Sequence, residues 1–484
     1  MALLSEKKTR EFIAAEIESN KERIVFNKKL YNLYASSIKS QLEVKIKADL
    51  GDKVYARVKE RLSTINLWKK IVDKLSGIYS TPPIRRVTGG SDSENKSSQE
   101  TLDKVVDVLN ANHKFDKNNE LYNCFGYSTL QIARDKRKPF IRSIPNYQFI
   151  TVSFNLVDPT SVDATVLYMD TVKDEHGLEM DIFYVFTDDE FIVMDAKGDI
   201  QTQIMEGLEQ DGTNPTKSLP FINWNDNEDS TMSEPRLDDL DMTLLVPLLL
   251  TDTNYGLKFQ IFSIIYGINV KLQNLIISPD AFWDFSSDPD SDLKPEIGTI
   301  KPEFDSEKVL ENIKTQVSLW LDSKGMKPGS IGSLDTGNAA SGISKMVDMA
   351  DVSESHDQQS SLYSRKEEEF WNKFFTDFYT FWIKGDMIDN LGVFSPNCRV
   401  VVEFPKKVPL VDRSQIIKDV LEELTGGLTS RKRAIMALNP EMDEETVMEL
   451  IEEIDEEQPE EEISFGEKQN GNNPEDESSP SPVE

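Results

Sequence analysis

Residues 240–274 read LDMTLLVPLLLTDTNYGLKFQIFSIIYGINVKLQN. The apolar content predicts one long helix from Leu240 to Asn274. Pro247 is tolerable in its first turns and otherwise implies a kink. The middle, with Phe259, Ile261, Phe262, Ile264, Ile265, Tyr266 and Ile268, is apolar nearly all round. Such a helix is expected to be covered on several sides. Its longest uncharged run, Phe259 to Val270, falls short of the roughly 20 residues that span a bilayer. A buried helix is the better reading, with no membrane partner.

Working outward, Ile276 to Asp305 is loop-rich and acidic, with short strand candidates around Ile276 and Ile297 to Ile300. Ser306 is a fair N-cap for a second helix, which carries Val309, Leu310, Ile313, Val317, Trp320 and Leu321 on one face. Lys324 in the last turn and Gly325 beyond it are stop signals. A Gly/Ser/Thr loop follows, and a third helix is predicted from near Ser341 to about Lys384. Its second half holds Phe370, Trp371, Phe374, Phe375, Phe378 and Trp382 at helical spacing, so core packing is the reading for that stripe. Two helices side by side, a loop-rich tip and a flexible finger leading into a strut suit a ring-shaped conduit better than a monomeric enzyme.

The flanks read more simply. Leu62, Ile65, Trp68, Ile71, Val72, Leu75 and Ile78 predict a helix stopped by Thr81-Pro82-Pro83. Thr88 to Gln99 is a polar loop, followed by helical regions around Leu102 to Leu109 and from Leu121 to Ala133. From Phe140 to Trp224 the pattern changes to strands: Phe149–Phe154, Thr165–Met169, Ile182–Phe186, Phe191–Met194 and Leu219–Trp224, forming a small meandering sheet. Arg399 to Phe404 is a strand and Ser414 to Ile454 a helical end region. Asp455 to Glu484 is Glu-, Asn-, Ser- and Pro-rich, a composition that predicts disorder. The fold class is therefore α+β, mainly helical.

The formal charge is −32 over 484 residues, and from Glu441 to Glu484 there are 18 acids against one base, Lys468. An acidic body argues against tight sequence-independent nucleic-acid binding, which needs Lys and Arg to displace counterions. Cys124 and Cys398, far apart in sequence, indicate neither a disulfide framework nor a Cys-type zinc site. His113, His176 and His356 read as ordinary surface residues. No GxxxxGK[ST], GxSxG, HExxH or GxGxxG before a helix occurs, so no cofactor is implied. Asp288, Asp290 and Asp292 alternate as calcium ligands can, yet Leu293 stands where an EF-hand loop needs Gly, and a solvated acidic tip is the simpler reading. Asp238, Asp239 and Asp241 suit the positive end of the helix that follows them.

Four stretches together resemble the portal proteins of tailed double-stranded DNA bacteriophages, of the long-tailed type. The first is Asn66 with Ile71-Val72-Asp73 and the Tyr79 to Pro83 stop, where Ser80-Thr81 replace a Gly usual in that family. The second is Leu219-Pro220-Phe221-Ile222 with Leu245 to Asn254. The third is Ala340 to Lys345. The last is Val401 to Pro409 with Leu428-Thr429-Ser430-Arg431 and Asn439-Pro440. The resemblance covers most of residues 60–458. It implies a ring, typically of twelve subunits, at one capsid vertex of the virion, assembled in the host cytoplasm.

By the same resemblance, residues 1–235 and 341–409 form a wing, 236–275 and 306–326 the stem helices, and 276–305 a clip. Residues 327–340 form a channel loop, 410–458 a crown, and 459–484 a disordered acidic tail. Lys324, Lys327, Ser330, Ser333 and Thr336 would lie near DNA in transit. Asp284, Asp288, Asp290 and Asp292 would make clip contacts with the terminase large subunit and head-completion proteins, and the wing would face the major capsid protein. The chain itself would not be an enzyme. Two other readings stay open: a metal-dependent enzyme using Asp288, Asp290 and Asp292, and a structural adaptor that forms no ring.

Overall fold

The computed structural model describes residues 3–35, 37–155, 157–173, 179–207, 211–225, 227, 229–261, 264–268, 296–300, 305–327, 342–405, 413–439, 442 and 444–457. Two compact units divide the chain, residues 1–409 and 410–484. The fold is α+β and mainly helical.

The first unit opens with helices α1 (Lys7–Ser19), α2 (Lys21–Ala35), α3 (Lys39–Val58) and α4 (Leu67–Leu75). Asn66 caps α4 by accepting from the Lys69 amide, so the helix starts later than Leu62. Strand β1 (Ile84–Thr88) leads to α5 (Asp92–Leu109) and α6 (Ala111–Phe125). The polar loop expected over Thr88 to Gln99 is in large part the first turns of α5. Ser91 and Glu94 form a reciprocal capping box there, and that S-x-x-E spacing outweighs the polar composition.

A second correction concerns Leu121 to Ala133, expected to be helical. Gly126, at φ 83°, ends α6, and its amide bonds the Tyr122 carbonyl. The chain continues as strands β2 (Ser128–Asp135) and β3 (Lys138–Ile144), ahead of Phe140, where the strand region was expected to begin. The meander expected after it is present as β4 (Phe149–Val152), β5 (Ala164–Lys173), β6 (Glu179–Phe186) and β7 (Phe191–Asp195), antiparallel in chain order. A short α7 (Thr202–Gly207) precedes β8 (Phe221–Trp224), which joins a three-stranded sheet ordered β3-β2-β8.

Helix α8 spans Leu237–Ile261, which puts Pro247 well inside it rather than in the first turns. The stretch expected to extend this helix to Asn274 instead forms strand β9 (Ile264–Ile268), paired antiparallel with β10 (Glu296–Ile300). A short run of Ile and Tyr that is apolar all round has no period to separate helix from strand, and the ladder with β10 decides it. Helix α9 (Ser306–Asp322) is capped by Asp305, one residue ahead of the expected Ser306. The long strut is present: α10 (Gly342–Lys373) continues through a π-helical turn, Phe374–Tyr379, into α11 (Thr380–Lys384).

The aromatic stripe is core, as its spacing predicts. Phe370, Trp371 and Phe374 are fully buried, and Phe375, Phe378 and Trp382 nearly so. The wider π turn lets the adjacent pairs Phe374/Phe375 and Phe378/Tyr379 all face inward. Each such ring contributes roughly 1.5–3 kcal/mol through burial.

Strand β11 (Arg399–Glu403) pairs with β1 on one side. On its other edge, side chains of α10 replace a neighbouring strand. Asn372 accepts from the Val400 amide at 2.9 Å and donates to the Val400 carbonyl at 3.2 Å. Glu368 accepts from the Val402 amide at 2.9 Å, and Ser364 donates to the Val402 carbonyl. Four helical residues rise about 6 Å and two strand residues about 6.6 Å, so a helix face at i, i+4, i+8 can satisfy an open strand edge.

The second unit holds α12 (Arg413–Thr425), α13 (Arg431–Leu438) and α14 (Glu444–Glu457). The last of these carries helix through Asp455–Glu457, residues expected to belong to the disordered tail. The remaining tail, 459–484, lies outside the described residues.

Candidate functional site

Helices α8 and α9 run antiparallel, and a buried clasp closes their base. Asp238 and Asp239 both occupy the first turn of α8, where negative charge is favoured. Asp238 stays exposed, but Asp239 turns inward and is 1% exposed. Its Oδ1 accepts from the Trp320 indole N–H at 2.9 Å and its Oδ2 from the Lys324 ammonium at 2.8 Å. Trp320 also stacks on Trp68 of α4, with ring centroids 6.4 Å apart. Arg236, just ahead of α8, donates to the Asn123 carbonyl at the end of α6 at 2.7 Å. These contacts moor the hairpin to the N-terminal helices.

The end of α9 is set by a paired backbone motif. Gly325 donates to Asp322 and Met326 to Leu321, each at 2.9 Å, with Gly325 at φ 65°. Leu321 and Met326, which such a motif brings together, are both buried. The chain leaves this turn at Lys327, which is exposed. At the opposite end of the hairpin the chain passes into β9 and returns through β10. The 25 residues of α8 span roughly 37 Å at 1.5 Å per residue, so the element is long relative to its width.

Of the residues expected near DNA, Lys324 sits at the clasp, where Asp239 balances its charge, and Lys327 is exposed beyond the end of α9. Ser330, Ser333 and Thr336 lie outside the described residues, as do Asp284, Asp288, Asp290 and Asp292. The inward role of Asp239 goes beyond the helix-end preference assigned to it, and Trp320 at the matching end of α9 is the signal that could have suggested it.

A second buried carboxylate escaped the sequence reading. Glu367 of α10 is 0% exposed and accepts from the Trp371 indole N–H at 2.9 Å, the Tyr79 hydroxyl at 2.6 Å and the Arg85 guanidinium of β1. Arg85 also donates to Asn112 at 2.8 Å and lies within 6 Å of the Phe115 and Trp371 ring centres. Burial and the Glu367 charge push the Tyr79 hydroxyl well above its ordinary pKa, so it remains a donor. Among Glu367, Glu368 and Glu369, only Glu367 shares the helical face of Phe370, Trp371 and Phe374. An acid on an apolar face was the available signal.

His356 departs from the surface role expected of it. It is 8% exposed, with Nε2 3.0 Å from the Lys74 carbonyl oxygen at the end of α4 and 3.3 Å from the Gly77 nitrogen. His113 is exposed, and His176 lies outside the described residues. Cys124 is buried, and that burial pushes its thiol up to about 12. Among the described residues no group of three or more His, Cys, Asp or Glu could hold a metal ion, and no helix is long and apolar enough to cross a membrane.

No protein-family model and no curated protein matches this chain.

Proposed function

We propose that the chain is a subunit of a portal-type ring, a conduit for double-stranded DNA at one capsid vertex, and not an enzyme. The observation that carries this reading is the antiparallel α8/α9 hairpin. It is a rod fastened at its base by the Asp239 clasp and passing at its far end into the β9/β10 pair, with the α10 strut later in the chain; residues 328–341, expected as the channel loop, lie outside the described residues. That is the order of stem, clip, channel loop and wing.

The rod also carries apolar side chains that this chain alone leaves open: Leu237 is 58%, Leu310 42% and Leu319 66% exposed. Neighbouring subunits packed around a central hole would cover such surface, and obligate interfaces of this kind exceed roughly 2,000 Å². Net negative charge suits a channel through which DNA must pass without adhering, because phosphates are repelled and no counterions are released. Terminase, head-completion proteins and the major capsid protein would be the partners, with ATP hydrolysis left to the terminase.

Negative-stain imaging of the purified chain tests the reading directly. Annular particles of uniform diameter are the expected result, and a well-folded monomer under every assembly condition would overturn it. Deleting Gly329 to Asp335 should leave rings intact while impairing DNA packaging or retention; normal packaging by that variant would remove the channel-loop role.

A further inference from the structure

Strands β2, β4, β5 and β8 and helix α10 line a polar cleft of about 820 Å³, a size within the range of small-molecule sites. Two cross-strand pairs stand in its wall. Thr129 of β2 faces Asn223 of β8, and the Thr129 hydroxyl donates to the Asn223 Oδ1 at 2.9 Å. Thr151 of β4 faces Thr165 of β5, and these two are 3% and 0% exposed. Neither of their hydroxyls has a hydrogen-bond partner among the described residues. Buried hydroxyls are ordinarily paired, so two open ones side by side point to something that completes them. A threonine turns its hydroxyl in steps of about 120° without moving the backbone, which lets either oxygen meet a ligand.

Helix α10 supplies the charge. Arg365, Glu369 and Lys373 follow at steps of four and share the face that lines the cleft. Glu369 holds Lys366, which also lines it, at 2.9 Å. Arg365 and Lys373 make no ion pair or hydrogen bond among the described residues. Burial lowers the Lys373 ammonium from its ordinary pKa, against the pull of Asp188, Asp377 and Glu369. It is a cation drawn partly out of water with no counter-ion in contact. Three cations and two carboxylates, Asp188 and Glu369, line the cleft, a surplus of one positive charge in a chain of formal charge −32.

We propose that this cleft binds a small sugar phosphate. Its phosphate is held by Lys373, Arg365 and the Thr151 and Thr165 hydroxyls, and its sugar hydroxyls donate to Asp188 and Glu369. Charge-assisted hydrogen bonds from an ammonium and a guanidinium suit a phosphate. A single anionic group matches the surplus charge, and the two carboxylates would repel a second. Most of the remaining lining is hydroxyl and amide side chains, which suit a sugar rather than an apolar ligand.

Titration calorimetry on the full chain with ribose 5-phosphate, inorganic phosphate and ribose tests this. Ribose 5-phosphate should bind about tenfold tighter than inorganic phosphate, and ribose alone more weakly still. Inorganic phosphate that binds as tightly as the sugar phosphate would overturn the sugar assignment, and no heat from either would overturn the site. Lys373→Met should weaken ribose 5-phosphate binding by about tenfold or more, and Thr165→Val by about threefold. The valine keeps the shape and removes an unpartnered oxygen, so the melting temperature should not fall. Affinity equal to the parent in both variants would place the ligand elsewhere and overturn the proposal. If Lys373→Met unfolds, Arg365→Met decides, because Arg365 is exposed; unchanged affinity there would overturn the charge assignment. Displacement of ribose 5-phosphate by a short DNA duplex would assign the cleft to a polymer backbone and overturn the small-molecule ligand. None of these outcomes depends on annular particles, so this inference and the conduit reading fail separately.

Discussion

Glu367 and Asp239 are chemically alike and physically different. Each is a helix carboxylate withdrawn from water, and each accepts from one indole N–H and one cation. At Glu367 the cation is Arg85, 7% exposed and flanked by aromatic rings, and Tyr79 fills the remaining oxygen. At Asp239 the cation is Lys324, 22% exposed, on a compact ammonium whose far side reaches water. The first joint welds β1 to α10 inside the first unit. The second joins the ends of two long helices, and water can replace one of its partners. A planar, weakly hydrated guanidinium suits a permanent joint, and a lysine suits one that can open.

Arg85→Met should produce the largest effect, about 3–5 kcal/mol in chemical denaturation, because it strands the Glu367 charge in an aromatic core. Lys324→Met should cost less, about 1–3 kcal/mol, since solvent can approach the carboxylate it uncovers. Equal losses would break the comparison and show that both joints are closed to water. Trp371→Phe and Trp320→Phe remove one donor from each site at nearly constant shape, for about 1–2 kcal/mol apiece. A larger loss at Trp371 would sharpen the distinction.

The smallest effect should come from the exposed end of the same series. Hydrogen bonds from the Ser91 amide and hydroxyl, then from Asn397 and Ser395, hold the Glu94 carboxyl at about 2, below its ordinary 4.5. A depressed carboxylate contributes stability that is complete above about 4.5 and is lost as pH falls towards about 2. The difference in melting temperature between the parent and Glu94→Gln should therefore close over that window. A gap independent of pH would deny the carboxylate this role.

Much of the framework was legible because its signals are local. The α10 strut and its aromatic stripe follow from helical spacing, and the end of α9 from Lys324-Gly325. The β4 to β7 meander follows from β-branched runs separated by turns. Asn66 and the Ser91/Glu94 box show that caps were present in the sequence too, though both were passed over, the first for the apolar spacing that begins at Leu62 and the second for its polar surroundings. Ser128 to Ala133 and Ile264 to Ile268 were misread as helix for other reasons. Ile264 to Ile268 is a short apolar run that fits either period, and its ladder with β10 settles the matter, whereas Ser128 to Ala133 alternates Thr129 and Gln131 with Leu130 and Ile132, a strand period that was overlooked.

Sequence by itself determined where the long helices α9 and α10 lie and which face of α10 is apolar. Those properties depend on side-chain spacing within a few turns. Tertiary structure alone decided that β1 finds β11 across some three hundred residues, and that α10 side chains close the open edge of that pair. It also decided which acid of Glu367-Glu368-Glu369 is buried and that Asp239 meets Trp320 and Lys324. Such choices turn on desolvation and on the position of a distant donor, and neither quantity is written in local sequence.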